Sequence, residues 1–121
     1  MVIAAPIKDL SNPETATVAT GQTATDRINM AGRHPVGIYI PAGAEGASVT
    51  FQVAQDIGGA LFALHDDAGA AYSVAIAAGQ YRQINPRLFR GARELVMTVN
   101  TAQVGADADF VIMFADPDAN F

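Results

Sequence analysis

The sequence predicts an all-β fold, a single antiparallel β-sandwich of jelly-roll type with eight or nine short strands. Apolar and polar residues alternate over short runs, as they do in strands with one buried face. These runs recur roughly every 8–12 residues and are separated by turn-forming Gly, Pro, Asn and Asp. No strand–helix–strand pattern occurs, which argues against a parallel α/β fold.

The individual strands follow from the same patterns. The Thr-rich segments 15–20 and 23–29 predict two strands joined by a tight turn at Gly21 and Gln22. Segment 36–40 lacks polar alternation, which predicts a central strand covered on both faces. Segment 47–54 alternates cleanly, with Ala, Val, Phe and Val pointing one way. Further strands are predicted at 60–64, 71–77, 80–84, 93–100 and 109–115.

One short helical turn is predicted near residues 86–90. Asn85 can cap it, Pro86 suits its first position, and Gly91 can end it. The chain then divides into an N-terminal arm (1–13), a sandwich domain (14–116) and a short polar tail (117–121). The arm is either a frayed terminus or an extended segment that pairs with a neighbouring subunit.

Composition excludes several classes of function. The 121 residues suit one domain, and half of them are apolar, which argues against disorder. The absence of cysteine excludes disulfides and cysteine-ligated zinc. A net charge of −5 argues against nucleic acid as a partner. No apolar run approaches the ~20 residues that span a bilayer, and no secretory signal is recognisable, so no membrane association is expected.

No catalytic or metal-binding constellation stands out, so the protein is predicted not to be an enzyme and to need no cofactor. His34 and His65 lie beside turn residues, and Asp66 and Asp67 form part of a turn whose residue types the backbone alone requires. There is no metalloprotease or serine-hydrolase motif. The glutamates lie in unrelated local settings, so nothing selects a pair of carboxylates for glycoside hydrolysis.

The aromatic residues bear on sugar binding. There is no Trp, and five aromatics lie on strand patterns where core positions are expected: Phe51, Phe62, Tyr72, Phe110 and Phe114. Exposed aromatic platforms usually recognise sugar rings, so glycan binding is an alternative that the sequence does not favour.

Four of the seven basic residues lie within one short window, at Arg82, Arg87, Arg90 and Arg93. They form either a solvated rim or a basic patch that faces an acidic surface of a partner or of a second copy. The many Ala, Gly and Thr residues give a thin core, which oligomer contacts could supplement. Self-association is therefore expected.

The order of these segments resembles a family of small structural proteins of tailed bacteriophages and prophages. The resemblance covers about residues 14–115. It rests on Pro-Ala-Gly-Ala-Glu-Gly-Ala-Ser-Val-Thr-Phe-Gln (41–52), on the Asp-Ile-Gly that follows it, and on Pro-Arg-Leu-Phe-Arg-Gly (86–91). The turn at 54–58 departs from the sequence that members typically carry there, and no function is attached to it.

The resemblance implies a virion component and not an enzyme. Capsid decoration or cement is the first expectation, in which a homotrimer on the capsid exterior clamps neighbouring major capsid subunits. The alternative is a head-fibre or spike base, or a tail accessory protein with a receptor- or glycan-binding role. The residues predicted to make partner contacts are Ile3, Ile7, Arg82, Arg87, Arg90 and Phe121.

Overall fold

A computed structural model describes residues 13–116 and confirms the predicted all-β sandwich. Residues 1–12 of the predicted arm and the tail 117–121 lie outside the described range. Two antiparallel sheets contain nine strands within it: β1 (Glu14–Val18), β2 (Ile28–Asn29), β3 (His34–Tyr39), β4 (Ser48–Ala54), β5 (Phe62–Ala63), β6 (Ser73–Ala75), β7 (Tyr81–Gln83), β8 (Glu94–Val99) and β9 (Ala108–Ala115).

The strand order is that of a jelly roll. The first sheet has the order β1-β9-β3-β7, and the second has β2-β8-β4-β5, with β6 also paired to β4. With β5 and β6 counted as one interrupted strand, the first strand pairs with the last, the second with the second-last, and so on inwards. This nested pairing defines the jelly roll.

The core lies between the two sheets and confirms the alternation read from the sequence. Phe110 and Ile112 of β9 face Phe51 and Met97 of the opposite sheet, and all four are at most 1% exposed. Full burial of such side chains stabilises the fold by about 1.5–3 kcal/mol each. Phe89 packs edge-on against Phe51, with ring centroids 5.3 Å apart.

The predicted helical turn is present as a 3₁₀ helix, Pro86–Phe89. The Asn85 side chain accepts a hydrogen bond from the Arg87 backbone N–H at 3.1 Å, and Pro86 supplies the fixed φ of the first turn. The hydroxyl of Tyr72 accepts the Asn85 N–H at 2.8 Å. Phe89 is buried beneath the helix and fixes it to the core, whereas Arg87 on the helix and Arg90 after it are exposed.

The predicted N-terminal hairpin is wrong. Strand β1 pairs with β9 in the first sheet, whereas β2 pairs with β8 in the second. The chain turns at Gly21, as expected, but there it crosses from one sheet to the other. Residues 23–27 continue along the edge of the second sheet, where the Val99 backbone N–H donates to Thr23 and the Thr25 N–H donates to Met97.

Candidate functional site

The candidate site is one end of the sandwich, here called the arginine end. It is formed by the loops 30–33, 55–61 and 84–93. The end of β9 lies there as well, because Ala115 pairs with His34 at the beginning of β3. The start of β1 is beside it, because Glu14 pairs with Ile112 of β9. The chain therefore enters and leaves the sandwich at the same end.

This geometry brings together two of the six predicted contact residues. Arg87 and Arg90 are exposed on the loop 84–93, at the arginine end. Arg82 lies instead on β7, the edge strand of the first sheet, where it is exposed. Ile3, Ile7 and Phe121 lie outside the described residues, in the segments that precede β1 and follow β9.

A cleft of about 560 Å³ opens at the arginine end. It lies between the turn that joins β2 to β3, the loop after β4 and the loop before β8. The cleft is lined by Asn29, Ala31, Gly32, Arg33, His34, Ile57, Phe89, Gly91, Ala92 and Arg93. Among residues 13–116, this lining contains the cations Arg33 and Arg93 and no Asp or Glu.

Arg33 is a fixed part of the cleft and not a mobile surface cation. It is 7% exposed, and its guanidinium lies 4.4 Å from the centre of the Phe114 ring. The same group donates to the Met30 carbonyl at 2.9 Å and pairs with the Glu14 carboxylate at 2.9 Å. A planar guanidinium suits this combination of stacking and directed hydrogen bonds. Arg33 thus ties the first residue of β1 to the turn before β3.

Glu94 fixes another wall of the cleft. One carboxylate oxygen accepts the Gly58 backbone N–H at 2.9 Å and the Arg27 guanidinium at 3.1 Å. Arg27 also donates to the Gly59 carbonyl at 2.6 Å. The hydrogen bond from Gly58, reinforced by Arg27, lowers the pKa of Glu94 below its usual value of 4.5 although burial opposes the shift. Together, Glu94 and Arg27 hold the loop that contains Ile57 in place.

The opposite end of the sandwich has the opposite charge. Its loops 40–47, 76–80 and 100–107 contain Glu45 and Asp107 and no basic residue. Thr20 donates to Asp107 through both its backbone N–H, at 2.9 Å, and its hydroxyl, at 3.1 Å. The two ends of the domain are therefore electrostatically different surfaces.

A pair of tyrosines forms a separate exposed surface. Tyr39 of β3 and Tyr81 of β7 are directly opposed on the outer face of the first sheet, with ring centroids 4.6 Å apart. They are 51% and 43% exposed. The pair could not be predicted from the sequence, because the register between two strands that are distant in the chain brings the rings together. Strand β3 lies between two other strands, as predicted, but its outer face is not covered at Tyr39.

One aromatic prediction needs correction. Phe51, Phe110 and Phe114 are buried and Tyr72 packs against the core, as expected. Phe62, however, is 61% exposed and not a core residue. It lies on the two-residue strand β5, at an edge of the second sheet.

Within residues 13–116, no three His, Asp or Glu side chains are grouped closely enough to hold a metal ion. The same residues include no helix long and apolar enough to cross a membrane. Comparison with known proteins adds no further constraint, since no family model, no curated protein and no solved structure matches the chain.

Proposed function

We propose that this protein is a structural component of a tailed-bacteriophage virion, a capsid decoration or cement protein that clamps neighbouring major capsid subunits. The observation that carries the proposal is the convergence at the arginine end. Arg87 and Arg90, the start of β1 and the end of β9 all lie there. Segments that precede and follow the domain thus begin beside a basic surface.

This arrangement suits a clamp. A rigid jelly roll supplies the body, the arginines meet acidic groups of the shell, and the arm reaches a neighbouring subunit. Jelly rolls recur in viral capsid proteins, which is consistent with the proposal. Lectins also have this fold, so the fold alone does not select between the two classes of protein. Each bound copy would stabilise the assembled shell by mass action, because it binds the assembled state better than free subunits. A homotrimer on the capsid exterior is the proposed assembly.

Binding to particles tests the proposal. Particles stripped of the protein are mixed with purified chain and sedimented, and the bound fraction gives the affinity. The Arg87→Gln and Arg90→Gln variants should each bind about tenfold more weakly, because each removes one charge-assisted contact.

The matched control is Gln80→Glu, on an exposed loop at the opposite end. It lowers the net charge by one, as each arginine variant does, and should bind like the wild type. Equal binding by all four proteins would contradict docking through the arginine end. Failure of the wild-type chain to bind stripped particles would contradict the proposed function itself.

The tyrosine pair favours a second candidate function, a receptor- or glycan-binding role on a fibre or tail. Two adjacent exposed rings on a flat sheet can stack against sugar rings, and their hydroxyls can form hydrogen bonds. Calorimetric titration with oligosaccharides from the host surface tests this candidate. Tyr81→Ala should abolish binding, whereas Phe62→Ala removes an exposed aromatic from the other sheet and should leave binding unchanged. No heat of binding from the wild-type chain would reject the glycan role.

A further inference from the structure

The cleft at the arginine end indicates which kind of segment a partner would insert there. The identity of that partner rests on the proposed function. The two arginines of the cleft have different roles. Arg33 is buried and held by Glu14 and Phe114, so it forms part of the cleft wall. Arg93 is exposed, and none of the acidic residues described in 13–116 forms an ion pair with it.

Arg93 thus presents a guanidinium at the rim of a cleft that holds no carboxylate of its own among its lining residues. A guanidinium binds a carboxylate through two parallel hydrogen bonds, which gives it both strength and orientation. The backbone of Arg93 is fixed, since its N–H donates to the Ala54 carbonyl at 2.8 Å and its carbonyl accepts the Met30 N–H at 2.9 Å. The side chain is therefore anchored at its base.

The cleft also has an apolar component. Ile57 is 57% exposed beside it, and Ala92 and the buried ring of Phe89 contribute further apolar surface. The Glu94 carboxylate and Arg27 hold the two residues that follow Ile57, so this wall is fixed before any partner arrives. A preformed wall lowers the entropic cost of binding. The volume of about 560 Å³ can accept more than one side chain.

We propose that this cleft binds an acidic peptide segment of the structural partner, with a carboxylate on Arg93 and a neighbouring apolar side chain against Ile57 and Ala92. The charge distribution favours a short peptide over a nucleic acid. The chain carries a net charge of −5, and its opposite end is acidic. A long polyanion meets that repulsion, whereas a short segment interacts mainly with the local positive field.

The test uses the full-length chain and a fluorescein-labelled acidic hexapeptide that alternates aspartate with alanine and contains one phenylalanine. Fluorescence anisotropy should show saturable binding that weakens as salt is added. The Arg93→Gln variant should bind about tenfold more weakly. Arg82→Gln removes an exposed arginine that does not line the cleft, and it should bind like the wild type.

Two companion probes complete the design. The same peptide with asparagine in place of each aspartate should not bind, and a labelled single-stranded oligonucleotide should bind more weakly than the acidic peptide. Three results would overturn the inference. They are equal binding of the acidic and amide peptides, an equal loss of peptide affinity in Arg93→Gln and Arg82→Gln, and tighter binding of the oligonucleotide than of the acidic peptide. Particle binding by the wild-type chain is measured separately, so failure of the cleft and failure of the proposed function give different results.

Discussion

The ring of Tyr81 lies directly over Gly37, so that a Cβ at residue 37 would overlap the hydroxyl and the adjacent ring carbons. The two residues are diagonal neighbours on β7 and β3, since Gly37 pairs with Gln83 and Tyr81 pairs with Tyr39. Gly37 therefore provides the space that the Tyr81 ring occupies. The exposed tyrosine pair depends on this missing side chain.

Gly37→Ala should displace Tyr81 and destabilise the fold by about 1–2 kcal/mol, a cost typical of overpacking. Urea denaturation measures the loss, and near-ultraviolet circular dichroism should report the changed tyrosine environment. Gly43→Ala is the matched control, because a Cβ there meets no atom within 4 Å. An unchanged tyrosine spectrum in Gly37→Ala would contradict the described contact.

Replacement of Arg33 should be costly even when the charge is kept. Lysine cannot both stack on Phe114 and reach the Met30 carbonyl and Glu14, so Arg33→Lys should lose about 2 kcal/mol of unfolding free energy. Chemical denaturation at neutral pH measures the change. Arg82→Lys, at an exposed position on β7, should stay within about 0.5 kcal/mol of the wild type. Equal effects at the two positions would refute the anchoring role of Arg33.

Gln103 joins two loops at the end opposite the arginines. Its buried side chain donates to the Gly43 carbonyl at 2.8 Å and accepts the Glu45 N–H at 3.1 Å. Gln103→Ala leaves both backbone groups without this partner and should destabilise the fold by about 2 kcal/mol. Thermal and urea unfolding should agree on the loss. Gln83→Ala, on the exposed edge strand β7, should cost far less, and a comparable loss there would contradict the prediction.

Glu94 should make stability depend on pH in the acidic range. Its folded-state pKa is lowered, so the unfolded chain binds the proton more readily, and stability falls as pH drops below the usual value of 4.5 and through the folded-state pKa. Glu94→Gln keeps an acceptor for Gly58 but removes the charge. The stability gap between wild type and variant should be largest near neutral pH and should narrow as the pH falls below 4.5 and through the lowered folded-state pKa. Urea midpoints measured from neutral pH into the acidic range test this, and a gap that does not change with pH would disprove the prediction.

Much of the fold could be predicted from local pattern. The alternation around Phe51 marked β4, and Asn85 and Pro86 marked the 3₁₀ helix, because in each case neighbouring residues determine the structure. The link between β1 and β2 could not be predicted, because a tight turn at Gly21 looks the same in a hairpin and in a crossover. The sheet that each of them joins depends on distant partners: Glu14 pairs with Ile112, and Ile28 pairs with Leu95.

The candidate site could likewise be predicted only in part. The cluster of Arg87, Arg90 and Arg93 was visible as a short window of sequence. The cleft was not, because it also requires Ile57 and Arg33, which lie on other loops that only the jelly-roll topology brings together. The Tyr39–Tyr81 pair required the register between β3 and β7. No spacing along the chain signals such a pair.

The measurement that tests the central proposal most directly is cryo-electron microscopy of the particle that carries this protein, reconstructed with capsid symmetry. The proposed cement role predicts jelly-roll density at three-fold or quasi-three-fold positions of the capsid exterior, with the arginine end directed at the shell. Density only at the vertices or on the tail would contradict the cement role and favour the fibre or receptor-binding alternative.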